Sequence, residues 1–592
     1  LPRLSLPRCF SLDRFRRQLA SVDALPQLCV LGLVSGLITG GLMVLFRLLL
    51  ALGAMVFLPG GDPEAFEGLA PGARALLPLL AVALIGVWLW WLPPAGRQIG
   101  VAHVLERLTY HQGRFPLRNW ITQWWVGLIS VLGGLSAGRE GPAIHLGAAA
   151  CSGLGQSLRL PHNSLRVLVA CGTAAGISAS FNTPIAGVIF AMEVVMMEYT
   201  ITGFMPVILA STMGAVVAQA VFGVEQPFQE SGVMLGSLFN LPWIVVSALG
   251  IGLLAGGFVR VARAGDRLRP LPFAVRFALA GGLVGALAWW YPQIQGMGYD
   301  TLGLTIAGEL SLDVLLAVAL GKLLVTAFAV ACGIPVSIIG PVLVSGGAAG
   351  ALCGLLGAQL MPELAAGPAV YAMLGMAAMM GAVLQAPLAA LMALLELTHN
   401  PNLILPGMLA VVVAGLTSRQ LCGCDGFFVS VTRHGLHPLQ QPLMQALNRV
   451  SVPAVMERDL VRTRRRVTLE QAGTLLEAKP VWILIERSSD AKPALALKAA
   501  DLARWMLEHD ENDKLIGKDG RLDLLEIPGQ RLDLAPIHLQ ATLSEAFDRL
   551  NTKHADALYV EHGHRPKHKR ISGIITRDAI ERYYRYSDTP PG

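Results

Sequence analysis

Gly138-Arg139-Glu140-Gly141-Pro142 places an acid in the middle of an apolar, small-residue stretch that runs from Trp120 to Leu158. An ionised carboxylate in hydrocarbon costs about 2.5–3.5 kcal/mol on insertion scales. It survives there only where it lines a polar path or meets compensating dipoles. Ala143-Ile144-His145-Leu146-Gly147-Ala148-Ala149 follows as a helical stretch, and Pro142 suits a first helical position. The acid and its glycines are therefore expected at a helix N-terminus, where free N–H groups and the helix dipole favour anions. Such a site accepts either the carboxylate or a diffusible anion, and the two compete.

The surroundings are those of a membrane protein. Of 592 residues, 54% are hydrophobic and only 15% charged, against about 25% charged in ordinary globular chains. Apolar runs recur at Gln27–Phe57, Ala75–Leu92, Trp120–Leu158 and Leu165–Phe222, then at Leu241–Val261, Phe273–Trp290, Leu312–Leu360, Ala369–Leu397 and Leu403–Leu416. Glycine and proline interrupt many of them, so they are not simple 20-residue spans. Irregular backbone at membrane depth is tolerated only where protein or a water-filled cavity covers it, which points to a transporter or channel bundle. Arg3, Arg8, Arg14, Arg16 and Arg17 precede the first run without a cleavable signal pattern. The positive-inside rule then puts the N-terminal segment 1–25 in the cytoplasm. Five of the eight Cys lie in the apolar runs and the polar tail has none, so no disulfide framework is expected. Cys422-Gly423-Cys424 lacks partners for a metal site, and no nucleophile elbow, metal triad or phosphate loop marks an enzyme. The net charge of +6 fits a basic cytoplasmic face and asks for no nucleic acid.

The apolar part repeats itself. Gly141-Pro142 is followed by Gly147-Ala148-Ala149, and Gly340-Pro341 by Gly346-Gly347-Ala348, 199 residues on (141 against 340). Asn182-Thr183-Pro184 leads to Glu193, and Gln385-Ala386-Pro387 to Glu396, 203 residues on (184 against 387). Paired breaks in matching order mark a two-repeat transporter whose ion site lies between the repeats, faced by half-helix N-termini. The turns at Glu140 and Ile339 are predicted to converge on one anion pathway. The competing reading makes both turns mere helix breaks.

These residues resemble the CLC family of chloride channels and chloride/proton antiporters over roughly Leu28–Leu436. Residues Gly138–Pro142 reproduce the family's GREGP signature. The resemblance implies an all-α polytopic fold: an inverted repeat of broken, tilted helices in a transmembrane domain 26–436, with halves near 26–225 and 240–425. It also implies a homodimer in the inner (plasma) membrane, both termini cytoplasmic, carrying chloride with no required cofactor. Glu140 inherits the role of gate, an anion mimic when charged that swings away when protonated. Gly138, Arg139 and Gly141 inherit anion contacts, as do Ile338, Ile339 and Gly340, whose Ser337–Pro341 stretch is similar to the family's G-x-F-x-P with Ile339 at the Phe. Three departures stand out. Ile99 aligns with the family's anion-coordinating Ser, or Arg97 does after a two-residue shift. Phe428 falls where the family has a coordinating Tyr. Val194 replaces the acid that receives the inner proton in family antiporters, leaving Glu193 as a structural acid or as a substitute.

After Gly435 the composition turns charged. Two units, opening near Val452 and Pro536, each predict a β-α-β-β-α order, with strands at Val481–Ile485 and Ala557–Val560. Segment 437–592 resembles a tandem pair of CBS domains. Thr576 and Asp578 match that family's nucleotide-binding form, Thr for phosphate and Asp for ribose hydroxyls, so an adenine nucleotide and a purely structural dimerisation module both stand. For the whole chain the leading expectation is channel-like chloride movement with weak proton coupling. Its rivals are a chloride/proton or fluoride/proton antiporter of the same fold and, from another class, a membrane-anchored nucleotide sensor with a vestigial transport core.

Overall fold

Among the described residues, eight helices are long and apolar enough to cross a membrane, and four more apolar helices are shorter than a span. The computed structural model describes residues 25–224, 237–360, 366–431, 442–486, 493–508, 521–562 and 570–587. The arginine-rich start lies outside them. The described residues fall into two compact units, one formed by those within 28–158 and 165–431, the other by those from 442 on together with 25–27 and 159–164.

In the helical unit the interruptions set where helices end. The run Trp120–Leu158 resolves into two helices, Leu117–Leu132 and Glu140–Ser157. The second starts at Glu140, two residues earlier than Pro142 suggested, with Arg139 in the capping place. Pro142 falls in the first turn, where N–H groups have no intrahelical partner and its missing donor costs nothing. The run Leu165–Phe222 breaks at Asn182, whose φ of 60° ends one helix before Pro184 starts the next. Gln385, with φ 55°, does the same before Pro387.

The internal repeat extends to backbone packing. A Cβ on Gly147 would lie 2.3 Å from the Gly172 carbonyl oxygen, and one on Gly172 would lie 2.2 Å from that of Gly147. In the second half Gly346 and Gly375 meet the same way, at 2.6 and 2.3 Å. Small residues let helices approach closely where lipid supplies no hydrophobic drive. Only glycine fits either crossing.

The tail unit carries strands β1 (Leu460–Arg464), β2 (Arg466–Thr468), β3 (Trp482–Glu486), β4 (Pro493–Lys498), β5 (Arg521–Asp523), β6 (Arg531–His538), β7 (Ala557–His562) and β8 (Arg570–Thr576). Its main sheet runs β1-β3-β4-β6-β7-β8, and β2 pairs with β5. Each half shows one parallel pair followed by one antiparallel pair, β1/β3/β4 and then β6/β7/β8. Helices Leu469–Glu477 and Leu543–Lys553 start on Thr468 and Thr542, whose side chains accept N–H groups of the first turn. The second half shows the expected β-α-β-β-α order, and the first half shows it with β2 inserted between β1 and its helix.

Candidate functional site

The turns before Glu140 and Ile339 meet. Gly138 N–H donates to the Ser337 carbonyl at 3.1 Å, and Gly141 N–H to the Ser337 hydroxyl at 2.9 Å. Glu140 is fully buried. Its Oε2 accepts from Gly340 N–H at 3.2 Å and from the Ser337 hydroxyl at 3.4 Å. Its Oε1 accepts from the Tyr299 hydroxyl. The carboxylate therefore occupies the helix start of the second repeat, the place where such a start favours an anion. Two glycines make the space: a Cβ on Gly138 would lie 1.9 Å from Oε2, and one on Gly340 would lie 2.8 Å from the Tyr299 oxygen.

Glu140 stands between two cavities. One, of about 330 Å³, is lined among others by Arg47, Glu64, Arg139, Phe181 and Tyr299. The other, of about 260 Å³, is lined by Gly141, Ser337, Ile338 and Ile339, and also by Ile99, Arg97, His103 and Phe428. The structure thus brings every sequence-derived anion residue except Gly138 and Gly340 to a cavity wall, and those two pack directly on the carboxylate. Arg139 does not reach Glu140; its Nη2 donates to the Ser180 carbonyl at 2.8 Å.

Both alignments of the Ser position fall on the second cavity, but differently. Ile99 immediately precedes the helix Gly100–Tyr110, so it holds the helix-start place. Arg97 turns to the Leu92 carbonyl at 2.9 Å. The first N–H of that helix, Gly100, is taken by Gln123 Oε1 at 2.8 Å. With Ile99 and Phe428 in the wall, the side chains there offer apolar surface where two hydroxyls stand in the resembled family.

Glu193 is committed to backbone. Its oxygens accept from Leu388 N–H at 3.2 Å and Ala389 N–H at 2.8 Å, at the start of the helix Pro387–Thr398. Val194 beside it is buried in the apolar core. In the tail, Thr576 ends β8 and its hydroxyl accepts from Ala579 N–H at 3.2 Å. Asp578 is exposed in the first turn of the helix Arg577–Ser587.

Several participants carry no motif in the sequence. Tyr299 sits in a Gly-rich turn and Gln123 in an amphipathic helix, and neither carried a motif. His103 and His145 form a buried pair, Nδ1 to Nε2 at 2.8 Å, with Arg107 Nε on His103 at 2.9 Å. Lys322 is fully buried in an apolar helix; an intramembrane charge is itself a signal. In the loop before the helix Pro71–Trp91, burial and then the Asp300 charge push the Glu64 carboxyl up to about 8.

A buried carboxylate at the meeting of two repeated helix starts, with a cavity on either side, defines a membrane protein built to pass anions. A family model described as "Voltage gated chloride channel" matches residues 79–419, and the chain belongs to this family, the CLC proteins. It is similar to the chloride channel protein ClcB-like of Ralstonia nicotianae, 31% identical over 59% of this chain and 82% of that one. It is also similar to the H(+)/Cl(-) exchange transporter ClcA of Vibrio campbellii, 30% identical over 50% of this chain and 68% of that one. Among solved structures, a slow cyanobacterial Cl-/H+ antiporter shares the fold with TM-score 0.61 and 23% identity, over 70% of this chain and 98% of the other. A eukaryotic CLC transporter shares it with TM-score 0.55 and 16% identity, over 94% of this chain and 98% of the other.

Proposed function

We propose that this chain moves chloride and other small anions through one pathway per subunit of a homodimer, with Glu140 as the gate and only weak coupling to protons. The observation that carries it is Glu140 Oε2 on Gly340 N–H at 3.2 Å: the carboxylate fills the anion's place when charged and vacates it when neutral. Weak coupling rests on Val194 and Glu193. A proton does not cross an apolar gap, and Val194 supplies no titratable group. Glu193, the residue before it, already serves two backbone N–H groups. Ile99 and Phe428 bring no hydroxyl to the cavity they share with Ser337 and His103, so the central site leans more on backbone donors, which favours loose selectivity. The same reading has the protein in the inner membrane with both termini cytoplasmic and takes its tail as a CBS pair holding an adenine nucleotide at Thr576 and Asp578.

A second reading is proton-coupled exchange of chloride or fluoride, favoured by the name of the exchange transporter relatives. One experiment separates the two: chloride flux and pH change recorded together in liposomes holding the purified protein. Chloride movement with little uphill proton movement supports the first reading. Robust chloride-driven proton pumping, abolished by Glu140→Gln, supports the second.

A further inference from the structure

Tyr299 opens the helix Tyr299–Ala307, and the loop that delivers it is wrapped around a buried ammonium. Lys322 Nζ donates to the carbonyls of Ile294, Gln295 and Gly296 at 3.1, 3.0 and 3.1 Å, and reaches that of Gln293 at 3.4 Å. Gly296 and Gly298, with φ of 62° and 84°, let the backbone curl that tightly. A Cβ on Gly298 would lie 3.0 Å from Lys322 Nζ. A buried charge is costly unless paired and hydrogen-bonded, so the carbonyls and the ammonium hold one another, and the loop has little freedom where it ends at Tyr299. The phenol ring then packs against Phe181 at 5.6 Å between centroids, with the Arg139 guanidinium 5.6 Å over its face. Its hydroxyl points at Glu140 Oε1.

We propose that Tyr299 is a positioning residue for the gate: its phenol, anchored by the loop clamped on Lys322, latches the Glu140 carboxylate into the anion site. The proposal rests on Glu140 being the gate. A hydrogen bond donated to a carboxylate favours its charged form, so the latch opposes opening at neutral pH. The charged or titratable groups facing this pair are Arg139 at the helix start, Glu64 from its loop, Asp300 on the helix of Tyr299, and Lys322, with Arg47 and Asp62 on the wall of the cavity that Tyr299 lines. Arg139 Nη2 is engaged with Ser180, Glu64 with Asp300 N–H, and Lys322 with its carbonyls. The Tyr299 hydroxyl is thus the side-chain donor on Oε1, and the Ser337 hydroxyl the one on Oε2.

The test is chloride flux from liposomes of full-length protein across external pH, for wild type, Tyr299→Phe, Glu140→Ala and the double variant. Tyr299→Phe is expected to move half-maximal flux up by about one pH unit, which is tenfold in the closed-to-open balance. The double variant is expected to match Glu140→Ala. Gly298→Ala, which crowds the clamp and keeps the phenol, is expected to shift the midpoint in the same direction. If Glu140→Ala removes the pH dependence while neither Tyr299→Phe nor Gly298→Ala moves the midpoint, the latch is wrong and the gate stands. If Glu140→Ala keeps the wild-type pH dependence, the gate itself is wrong and the latch falls with it.

Discussion

Glu193 and Glu396 exchange caps. Glu193 accepts from Leu388 and Ala389 N–H in the second repeat, and Glu396 accepts from Ile185 and Ala186 N–H in the first, at 2.8 and 2.7 Å. Every residue in one set stands 203 positions from its counterpart (185 against 388, 193 against 396), so the exchange is an internal two-fold. Each acid supplies the acceptor that the other repeat's helix start lacks.

Removing either acid leaves two helix-start donors without acceptors. Loss of a helix cap costs about 0.5–2 kcal/mol, so Glu193→Ala and Glu396→Ala are each expected to lower the unfolding midpoint in detergent by a similar amount. Glu193→Gln keeps one acceptor of the two and is expected to cost less stability than Glu193→Ala while preserving the pH profile of flux. A Glu193→Gln variant that folds normally but loses proton movement would show that the residue carries protons rather than backbone.

Glu140→Ala empties the anion place on Gly340 without disturbing the backbone around it. Chloride flux is expected to exceed wild type at neutral pH and to become nearly independent of external pH, whereas wild-type flux rises as pH falls. Tracer chloride efflux at several external pH values reads both. A variant no faster than wild type, with the wild-type pH dependence intact, removes Glu140 from the gate.

Glu64 gives a separate alkaline limb. Its carboxyl, raised to about 8 by burial and then by the Asp300 charge, is mostly neutral at pH 7 and ionises as pH passes 8. The new negative charge then faces the cavity of Arg47 and Arg139 and repels entering anions. One charge in a water-exposed cavity is worth about 1 kcal/mol, or about fivefold in rate. Between pH 7 and 9 flux is expected to fall by that much more in wild type than in Glu64→Gln, which keeps only the decline due to Glu140. The same decline in both would assign it elsewhere.

In the tail, a bound adenine nucleotide at about 100 times its dissociation constant adds about 2.7 kcal/mol of stability. Full-length protein is expected to melt higher in millimolar ATP, ADP or AMP, and Asp578→Ala to lose that rise because the ribose hydroxyls lose their acceptor. An unchanged wild-type melt would leave the sheet as a purely structural module.

What sequence carries depends on whether a residue acts through its own type or through its neighbours. Glu140 was legible because an acid in hydrocarbon needs a reason, and the repeat because Gly-Pro breaks recur in order. Glu193 was legible as a structural acid, though its partner Glu396 entered only as a spacing. Tyr299 was not legible: Gly-Met-Gly-Tyr marks a turn, and nothing local says that a carboxylate 159 positions away lies against the phenol. Gln123 on Gly100 and the His103–His145 pair are likewise contacts between helices whose order of packing no local pattern encodes. Pro142 misled by two residues because proline is accepted anywhere in the first turn.

The glycine crossings at Gly147 and Gly172, and again at Gly346 and Gly375, have a consequence for speed. Backbones seated carbonyl to glycine have little slack for sliding past one another at these two crossings. In the proposed gate what has to move is one side chain, that of Glu140, whereas whole domains need microseconds to milliseconds. On the channel-like reading proposed above, warming is expected to hasten flux gently, as it hastens diffusion, whereas a steep thermal acceleration would favour exchange.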